Sequence, residues 1–528
     1  MAKIFNRVSN KKPKRNVFDL SHERKFSMNM GDLVPIFCQE VVPGDTFRMN
    51  TEILMRLAPM TAPMMHRVDV YTHFFFVPNR LVWTEWEKFI TGGDDGSYQG
   101  DFAPVFPYFS SPSSNAVAWY NQYVKSGTLM DYLGLPIPSN TGSVNAEYRF
   151  SALPFRAYRL IYEEYYRDQN LMSKYEFSKS SGRDTDYELF KLMKRCWEKD
   201  YFTSCLPYAQ KGYPVRFADG DVYYSNPNRN QAQRMQKVDG TNFTGTASAL
   251  SHSSATTQTA ALQNAQGQLV NLDPNGTLKA PGITISDFRR AISLQKWLEK
   301  NARSGSRYTE FIKSHYGVKS SDARLQRPEY LGGGKSPIRI SEVLQHSESN
   351  NTPQGTMSGH GISAGNSNSF KRFFEEHGMI IGLVSVLPRT TYQQGLPRFF
   401  SKDDPFDFYF PEFAHIGEQE VLNKELLMTS YSPTYNDAVF GYQSRYAEYK
   451  YIPSTVHGDF KGNMDFWHMG RKFSESPGAY PALNPNFVTA DPTHRVFAVD
   501  DPAVHKLWVQ CYNNVQAIRP IPFFSDPS

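Results

Sequence analysis

Cysteine is scarce in this sequence, with four residues among 528. No two of them form a CxxC pair, which argues against a zinc site and against a disulfide framework. We therefore expect no bound metal ion, no cofactor and synthesis in a reducing cytosol. The four are scattered along the chain: Cys38, Cys196, Cys205 and Cys511.

Long apolar runs are also absent. No stretch approaches the roughly 20 consecutive apolar residues that a membrane-spanning helix needs. No apolar segment follows the N-terminal charges, as it would in a secretory signal, so we expect no membrane insertion. Hydrophobic residues still make up 40% of the chain, enough for a sizeable core. The length allows two or three ordinary domains, or one β domain with large insertions.

Acidic residues are rare at the N-terminus, where residues 1–25 contain eight basic and two acidic side chains, a net charge of +6. The remainder of the chain is nearly neutral, with a net charge of −1. A basic arm of this kind suits a polyanion, although a solvated tail without a partner has the same composition. The arm residues that could contact a polyanion are Lys3, Arg7, Lys11, Lys12, Lys14 and Arg15.

Residues 46–57 alternate between apolar and polar side chains, with Leu54 as the one exception on the polar parity. Period two is typical of a half-buried strand. The pattern returns over residues 68–76 and ends at Pro78, which cannot donate to a strand ladder. Two such strands close in sequence predict an antiparallel sheet with one buried face. The apolar residues of the first strand share one parity: Phe47, Met49, Ile53, Met55 and Leu57.

Further elements are expected along the chain. The apolar run 379–387 predicts a strand covered on both faces, and residues 504–518 predict a last strand with alternating parity. Periodicity predicts a helix opening at Pro154, another over residues 187–197, and a pair that starts at Asp287 and closes at Gly317. Residues 18–37 carry only scattered apolar side chains, so we expect an extended lead-in outside the core.

The composition changes between residues 219 and 282, where Ser, Thr, Asn, Gln, Ala and Gly dominate. With few large apolar side chains, this segment cannot bury much surface by itself. We expect a surface excursion, a linker, or a piece that packs against copies of itself.

Two motifs suggest enzymatic chemistry and fail their structural tests. Gly361-Ile-Ser-Ala-Gly365 matches the GxSxG pattern of serine hydrolases, which requires a strand before Ser363 and a helix after it. The flanking residues are loop-like, so we expect a flexible glycine loop. Residues 331–336 suggest a phosphate-binding loop, but Glu329 occupies a position where that motif requires glycine.

Two aromatic stretches remain. Residues 399–413 interleave aromatic side chains with Asp403, Asp404 and Asp407, and interface packing is favoured there because the acids oppose a nucleic-acid backbone. These acids could hold calcium between subunits, but a solvated acidic face is favoured. Residues 442–451 are rich in tyrosine beside two cations, which fits base stacking or a subunit contact. The tyrosine candidates are Tyr442, Tyr446, Tyr449 and Tyr451.

Six stretches together make the sequence resemble the major capsid protein of the microviruses, the small icosahedral single-stranded-DNA phages, and within them the gokushovirus group. They span nearly the whole chain in the family's order. They are FDLSHERKFS at residues 18–27, residues 67–80, DYLGLP at 131–136, DYFTSCLP at 200–207, RYAEYK at 445–450 and IRP at 518–520.

The resemblance implies a mainly β fold, an eight-stranded antiparallel viral jelly roll with long, partly helical insertions between its strands. It implies four segments: a basic arm and lead-in (1–40), first strands with helical insertions (41–218), a variable surface insertion near three-fold axes (219–282), and the remaining helices, strands and tail (283–528).

The resemblance also implies a non-enzymatic function: a T=1 shell of about sixty identical copies around a circular single-stranded DNA genome. The implied partners are an internal scaffolding protein, a pilot protein, a small basic DNA-binding protein and a host surface receptor. The protein would be made in the bacterial cytoplasm and reside in the virion. A free single-stranded-DNA-binding protein and a hydrolase using Ser363 are the alternatives.

Overall fold

The computed structural model describes residues 14–93, 104–111, 116–137, 148–215, 284–305, 307–344 and 357–524, together with short paired strands between residues 223 and 279. The chain divides into two compact units. One comprises Met1–Ala209 and Ala302–Ser528, and the other comprises Gln210–Asn301.

Strands are the main regular structure of the first unit. In chain order, the strands of the chain are β1 (Asn16–Asp19), β2 (His22–Met28), β3 (Val34–Val41), β4 (Thr46–Leu57), β5 (Val68–Pro78), β6 (Tyr108–Ser110), β7 (Arg149–Ser151), β8 (Tyr223–Tyr224), β9 (Gln236–Lys237), β10 (Ser251–Ser253), β11 (Ala261–Gln263), β12 (Val270–Asn271), β13 (Leu278–Lys279), β14 (Glu329–Pro337), β15 (Arg339–Leu344), β16 (Met357–Phe373), β17 (Gly378–Pro388), β18 (Thr391–Tyr392), β19 (Glu418–Leu422), β20 (Val439–Ser444), β21 (Ser454–Thr455) and β22 (Leu507–Arg519).

Helices lie between the strands. They are α1 (Asn79–Val82), α2 (Trp86–Thr91), α3 (Ala116–Tyr123), α4 (Leu129–Leu133), α5 (Leu153–Ile161), α6 (Ile285–Ser304), α7 (Tyr308–Tyr316), α8 (Asn423–Leu426), α9 (Pro433–Asn436) and α10 (Pro485–Val488). A π-helical turn, Tyr162–Tyr166, extends α5. Single 3-10 turns occupy Tyr187–Phe190, Arg398–Ser401, Pro405–Asp407, Pro411–Phe413, Ala447–Tyr449, Gly458–Lys461 and Asp465–Trp467.

Two antiparallel sheets form the centre of the first unit. The first sheet has the order β1–β22–β4–β16–β15, with β2 also paired to β22; the second has the order β14–β5–β17–β3. Their inner faces share one hydrophobic core, to which Phe47 and Met55 contribute from the first sheet and Phe74 and Val384 from the second. The prediction of a mainly β sandwich is confirmed.

The strand pairings of the two sheets are nested. β2 pairs with β22, β3 with β17, β4 with β16, and β5 with β14. The earliest of these strands therefore pairs with the latest, and the pairing works inward along the chain to β5 and β14. All four pairs are antiparallel.

The alternation predicted for β4 is confirmed, because its inner parity is buried and its outer parity is largely solvent-accessible. Phe47 and Met55 are fully buried, whereas Leu54, on the outer parity, is 38% exposed. The last strand, β22, repeats this pattern from Leu507 to Ala517. Both strands therefore present one apolar face to the core and one bare face to solvent.

The two central strands of the second sheet, β5 and β17, are buried on both faces, so the prediction of a single buried face is wrong for β5. Phe74 packs into the core between the sheets, whereas Phe75 packs against a helical layer that includes Phe155 and Tyr158 of α5. β4 and β5 also lie in different sheets rather than pairing with each other. The polar residues of β5 contribute to this error, because Asp69 is buried although its partner is partly exposed: the Asp69 carboxylate lies 3.1 Å from the Lys335 ammonium.

The expectation that residues 18–37 lie outside the core is also wrong. The segment is extended, but Met28, Val34 and Ile36 are fully buried. Pro35 does not interrupt β3, because β3 is the edge strand of the second sheet and its pairing with β17 shifts register beside this residue. Edge strands and bulges are the places where a sheet tolerates proline.

Residues 187–197 are not a helix, contrary to prediction. A 3-10 turn over Tyr187–Phe190 is followed by extended chain, whose backbone bonds to distant segments. The amide of Trp197, for example, donates to the Val488 carbonyl at 2.9 Å. The helices expected at Pro154 and Asp287 are present as α5 and α6, and α7 ends at Gly317, whose φ is +70°. β17 is buried on both faces, as predicted.

The second unit contains three short antiparallel strand pairs, β8 with β13, β9 with β12, and β10 with β11. α6 begins in the residue range of this unit. The range also contains residues 219–282, whose assignment as a surface insertion stays a prediction.

The folded first unit should lose stability in mild acid. Burial, and then the nearby Arg195 charge, lower the pKa of His73 to about 4, and burial lowers the pKa of His66 to about 4. The unfolded chain, with histidine pKa near 6.5, therefore binds more protons than the folded chain between about pH 6.5 and 4, so stability falls as pH falls. Burial raises the pKa of Asp32 to about 6, which acts in the opposite direction over part of this range.

Replacing His73 by glutamine tests this dependence. The wild-type chain should lose more free energy of unfolding between pH 7 and pH 4.5 than His73→Gln does, by up to about 3 kcal/mol. Urea unfolding at the two pH values measures the difference, and the exposed His22→Gln variant is the matched control. Equal pH dependence in wild type and His73→Gln would contradict the prediction.

Candidate functional site

An exposed aromatic surface is the most unusual feature of the first unit. Eight aromatic side chains from residues 399–410 and 449–451 are each at least 41% exposed, whereas side chains of this kind are usually buried. Exposed apolar patches of this kind mark interaction surfaces. We call these residues the aromatic patch: Phe399, Phe400, Phe406, Phe408, Tyr409, Phe410, Tyr449 and Tyr451.

Tertiary contacts join the two halves of the aromatic patch, which are more than thirty residues apart in sequence. The Tyr409 ring lies 5.0 Å from the Tyr446 ring and 6.4 Å from the Tyr449 ring. The Phe410 amide donates to the Tyr446 hydroxyl at 3.3 Å, and the Arg445 guanidinium donates to the Phe406 carbonyl. These contacts hold the two segments together, so the aromatic patch is one continuous surface and not two separate loops.

Charged residues beneath the aromatic patch fix its position. The Lys402 ammonium lies 3.2 Å from the Glu448 carboxylate and 4.2 Å from the centre of the Tyr449 ring. Burial opposes ionisation of Glu448, but hydrogen bonds from Gln419 and Lys402, together with the Arg398 charge, outweigh it and hold the pKa of this carboxyl below its usual range. Glu448 is thus ionised at neutral pH and anchors both cations.

The four tyrosine candidates occupy different environments. Tyr442 lies in β20 and its backbone pairs with Leu206, whereas Tyr446 adopts a φ of +60° and is buried. Tyr449 and Tyr451 are more than half exposed. β20 ends at Ser444, so Tyr446, Tyr449 and Tyr451 follow this strand in sequence. Tyr449 and Tyr451 present rings to the outside, and Tyr446 supports Tyr409 from beneath.

The acidic residues of this region support local turns. Asp404 accepts the Phe406 amide at 2.7 Å, and Asp407 accepts the amides of Asp403 and Asp404 at 3.4 and 3.3 Å. In the described part of the chain, no group of three or more His, Cys, Asp or Glu side chains is arranged to hold a metal ion.

Ser363 does not lie on the strand-to-helix turn that a hydrolase nucleophile needs. The GxSxG motif at residues 361–365 lies inside β16 and not in a flexible loop, which corrects the prediction. The Ser363 hydroxyl is buried and donates to the Pro337 carbonyl at 3.1 Å. Gly361 is required for packing, since a Cβ there would lie 2.3 Å from the Leu57 side chain.

Two of the six arm candidates, Lys14 and Arg15, lie in the described part of the chain. Both are exposed, and the Arg15 guanidinium lies 5.2 Å from the centre of the Phe373 ring on the first sheet. The other arm candidates, Lys3, Arg7, Lys11 and Lys12, lie outside the described residues. Their contact with DNA stays a prediction.

A β-sandwich with a wide exposed aromatic surface fits a structural protein that contacts other protein subunits. Comparison with known proteins agrees. A family model described as "Capsid protein (F protein)" matches residues 6–528, and the chain belongs to this family of capsid proteins. It is therefore a structural component of a phage virion, and family membership implies assembly into a shell of many copies.

Three relatives cover nearly the whole chain, and each is named capsid protein VP1. That of Chlamydia phage 1 is 34% identical and aligns over 100% of this chain and 98% of its own length. That of Bdellovibrio phage phiMH2K is 36% identical over 97% and 95%, and that of Spiroplasma virus 4 is 31% identical over 97% and 95%. The resemblance to microvirus capsid proteins is confirmed. No helix in the described residues is long and apolar enough to span a membrane.

Proposed function

We propose that this chain is the major capsid protein of a T=1 icosahedral shell of about sixty copies that encloses a circular single-stranded DNA genome. Assembly would take place in the bacterial cytoplasm with a scaffolding protein, and the shell would also hold a pilot protein and a small basic DNA-binding protein. Residues 219–282 would project near the three-fold axes and contact a host receptor. Family membership over the whole chain carries the proposal.

The fold within this proposal is an eight-stranded viral jelly roll. A jelly roll places eight antiparallel strands in two sheets as a pair of Greek keys. The nested pairing of β2 with β22, β3 with β17, β4 with β16 and β5 with β14 supports this assignment. β1 and β15 are then additions to the first sheet, and the helices are insertions between jelly-roll strands.

The proposed contact between copies uses the aromatic patch. The partner is a second copy of the same chain, because shell proteins bury their exposed apolar surface against identical neighbours. Aromatic side chains dominate the energetics of such contacts, with single residues worth 2 kcal/mol or more at hot spots. The Lys402–Glu448 contact holds Tyr449 in place before the partner arrives, which lowers the entropic cost of association.

Replacing Phe400 by aspartate tests the assembly surface. Phe400 is 67% exposed, so the variant subunit should keep its stability to within about 0.5 kcal/mol. Particle yield, counted by electron microscopy after expression with the scaffolding partner, should fall at least about tenfold because a charge would be buried at each contact.

The matched control is Tyr316→Asp, since Tyr316 is 72% exposed on α7 and lies outside the aromatic patch. It should assemble as the wild type does. Equal particle yields from Phe400→Asp and the wild type would remove the aromatic patch from the shell contacts. Failure of the wild-type chain to form any closed particle with its partner would refute the proposed function itself.

A further inference from the structure

The outer face of the first sheet is bare, unlike the outer face of the second. Along β22 the solvent-facing parity carries two aromatic rings and three amides, and each of the five side chains is exposed. Trp508 is 50% exposed and Tyr512 is 37% exposed. The five side chains are Trp508, Gln510, Tyr512, Asn514 and Gln516.

Cations flank this row on the neighbouring strands. Arg56 lies opposite Trp508, and Arg48 lies opposite Gln516, both on β4. Lys371 of β16 lies on the other side of Arg48. Within the described part of the chain, no ion pair engages any of these three cations. Arg48 and Lys371 are therefore cross-strand neighbours of like charge, an arrangement that costs stability unless an anion lies between them.

The basic arm reaches the same end of the face. Arg15 stacks on Phe373, which follows Lys371 by two residues on β16 and lies on the same parity. Arg15, Arg48 and Lys371 thus bring three cations to one end of the sheet, and Arg56 provides a fourth about 27 Å away along β4. Acids lie on the face as well: Asp19 is paired with Gln516, and Tyr512 with both Glu23 and Glu52. The Glu23 carboxylate lies 3.3 Å from Lys25.

We propose that this outer face binds single-stranded DNA, with phosphates at the Arg15, Arg48 and Lys371 cluster and bases on the rings and amides of β22. Aromatic rings stack bases without regard to sequence, and amides meet the polar edges of bases. A bound phosphate reduces the repulsion between the like charges of this cluster. Neutralisation of the phosphate also releases counterions from the DNA. The inference rests on the proposed function, because it specifies where the enclosed genome meets the shell.

DNA is favoured over a second copy of the chain as the occupant of this face. Among the described residues, Arg48, Arg56 and Lys371 have no ion-pair partner, and the face is continuous with an arm of net charge +6, which matches a polyanion. The row on β22 contains no charged side chain, so no acid within the row itself repels phosphate.

The first test measures binding of an oligothymidylate by the full-length subunit at several salt concentrations. The double variant Arg48→Gln/Lys371→Gln removes two phosphate contacts, so the slope of log affinity against log salt should fall by about 1.4. Arg289→Gln/Lys296→Gln removes the same charge from exposed positions on α6 and is the matched control. Equal slopes for both double variants would overturn the proposal.

The second test addresses stacking. Trp508→Ala should weaken oligothymidylate binding at least about fivefold, and Trp508→Phe should restore most of the affinity because it keeps a ring. Tyr316→Ala, at an exposed ring elsewhere, should change nothing. If Trp508→Ala and Trp508→Phe weaken binding equally, or neither does, base stacking at this position is refuted.

Experiments on assembled particles distinguish failure of this inference from failure of the proposed function on which it rests. Shells of the Arg48→Gln/Lys371→Gln variant should form and protect at least about twofold less DNA than wild-type shells. Ultraviolet cross-linking of wild-type particles should attach DNA to the peptide carrying β22. Shells that form normally, protect DNA and cross-link only elsewhere would refute the DNA-binding face and leave the capsid function standing. A fall in shell formation with unchanged DNA per shell would instead assign the face to subunit contact.

Discussion

Replacing Asp184 by alanine is expected to lower the free energy of unfolding by about 3–5 kcal/mol, because it leaves a buried guanidinium without its counter-ion. Asp184 accepts hydrogen bonds from Nε and Nη2 of Arg156 at 3.0 and 2.7 Å, and both side chains are almost completely buried. Arg156 also donates to the carbonyls of Val82 and Ser180, so it joins α1, α5 and the segment before Asp184. Urea unfolding of the unassembled subunit measures the loss.

The matched control is Asp437→Ala. Asp437 pairs with Lys424 at 2.8 Å, but its side chain is 71% exposed, and exposed pairs contribute about 0–1 kcal/mol. The two variants remove the same group, so the difference between them isolates burial. A loss below about 1 kcal/mol for Asp184→Ala would show that the helical layer can rearrange around an unpaired Arg156.

Replacing Phe74 by alanine should also lower the free energy of unfolding by about 3–5 kcal/mol, because it leaves a cavity between the two sheets. Phe74 is fully buried and its ring lies 5.4 Å from that of Phe370 on the facing sheet. Across the strand it lies opposite Gly382, where a Cβ would come within 2.5 Å of the ring. The glycine thus makes room for the ring, and it has no side chain of its own to fill the space that the ring would leave.

Leu54→Ala is the control for this cavity. Leu54 lies on the outer parity of β4 and is 38% exposed, so its truncation should change stability by no more than about 0.5 kcal/mol. Comparable losses in Phe74→Ala and Leu54→Ala, from urea unfolding, would mean that the space between the sheets is not the main source of stability.

The sequence pattern predicted the first sheet better than the second, for a physical reason. β4 and β22 have one bare face, so their alternation is clear in the sequence. β5 is covered on both faces, yet its buried polar residues Asp69 and Tyr71 contact the partly exposed Lys335 of β14. Buried polar residues with such partners are of the same types as the residues of a solvent-exposed face, and only the tertiary structure distinguishes the two.

Part of the candidate site was also visible in the sequence. Residues 399–413 and the tyrosines of residues 442–451 were identified as interface candidates, but their proximity depends on contacts such as that of Tyr409 with Tyr446, which no local pattern specifies. Trp508 and Tyr512, two aromatic residues on the polar parity of the last strand, are a sequence signal for the outer face that alternation alone does not reveal. Gly361 was misread because close packing and flexibility both favour glycine.

The position of β22 has a consequence for synthesis of the protein. β22 lies between β2 and β4, yet it begins about 450 residues after β4 ends. At about 5–20 residues per second, a ribosome needs roughly 20–90 s to deliver it. During that time both neighbours have open edges that can pair with other nascent chains. A chain whose synthesis stops before residue 507 cannot close this sheet, so only chains that include β22 become competent to enter a shell.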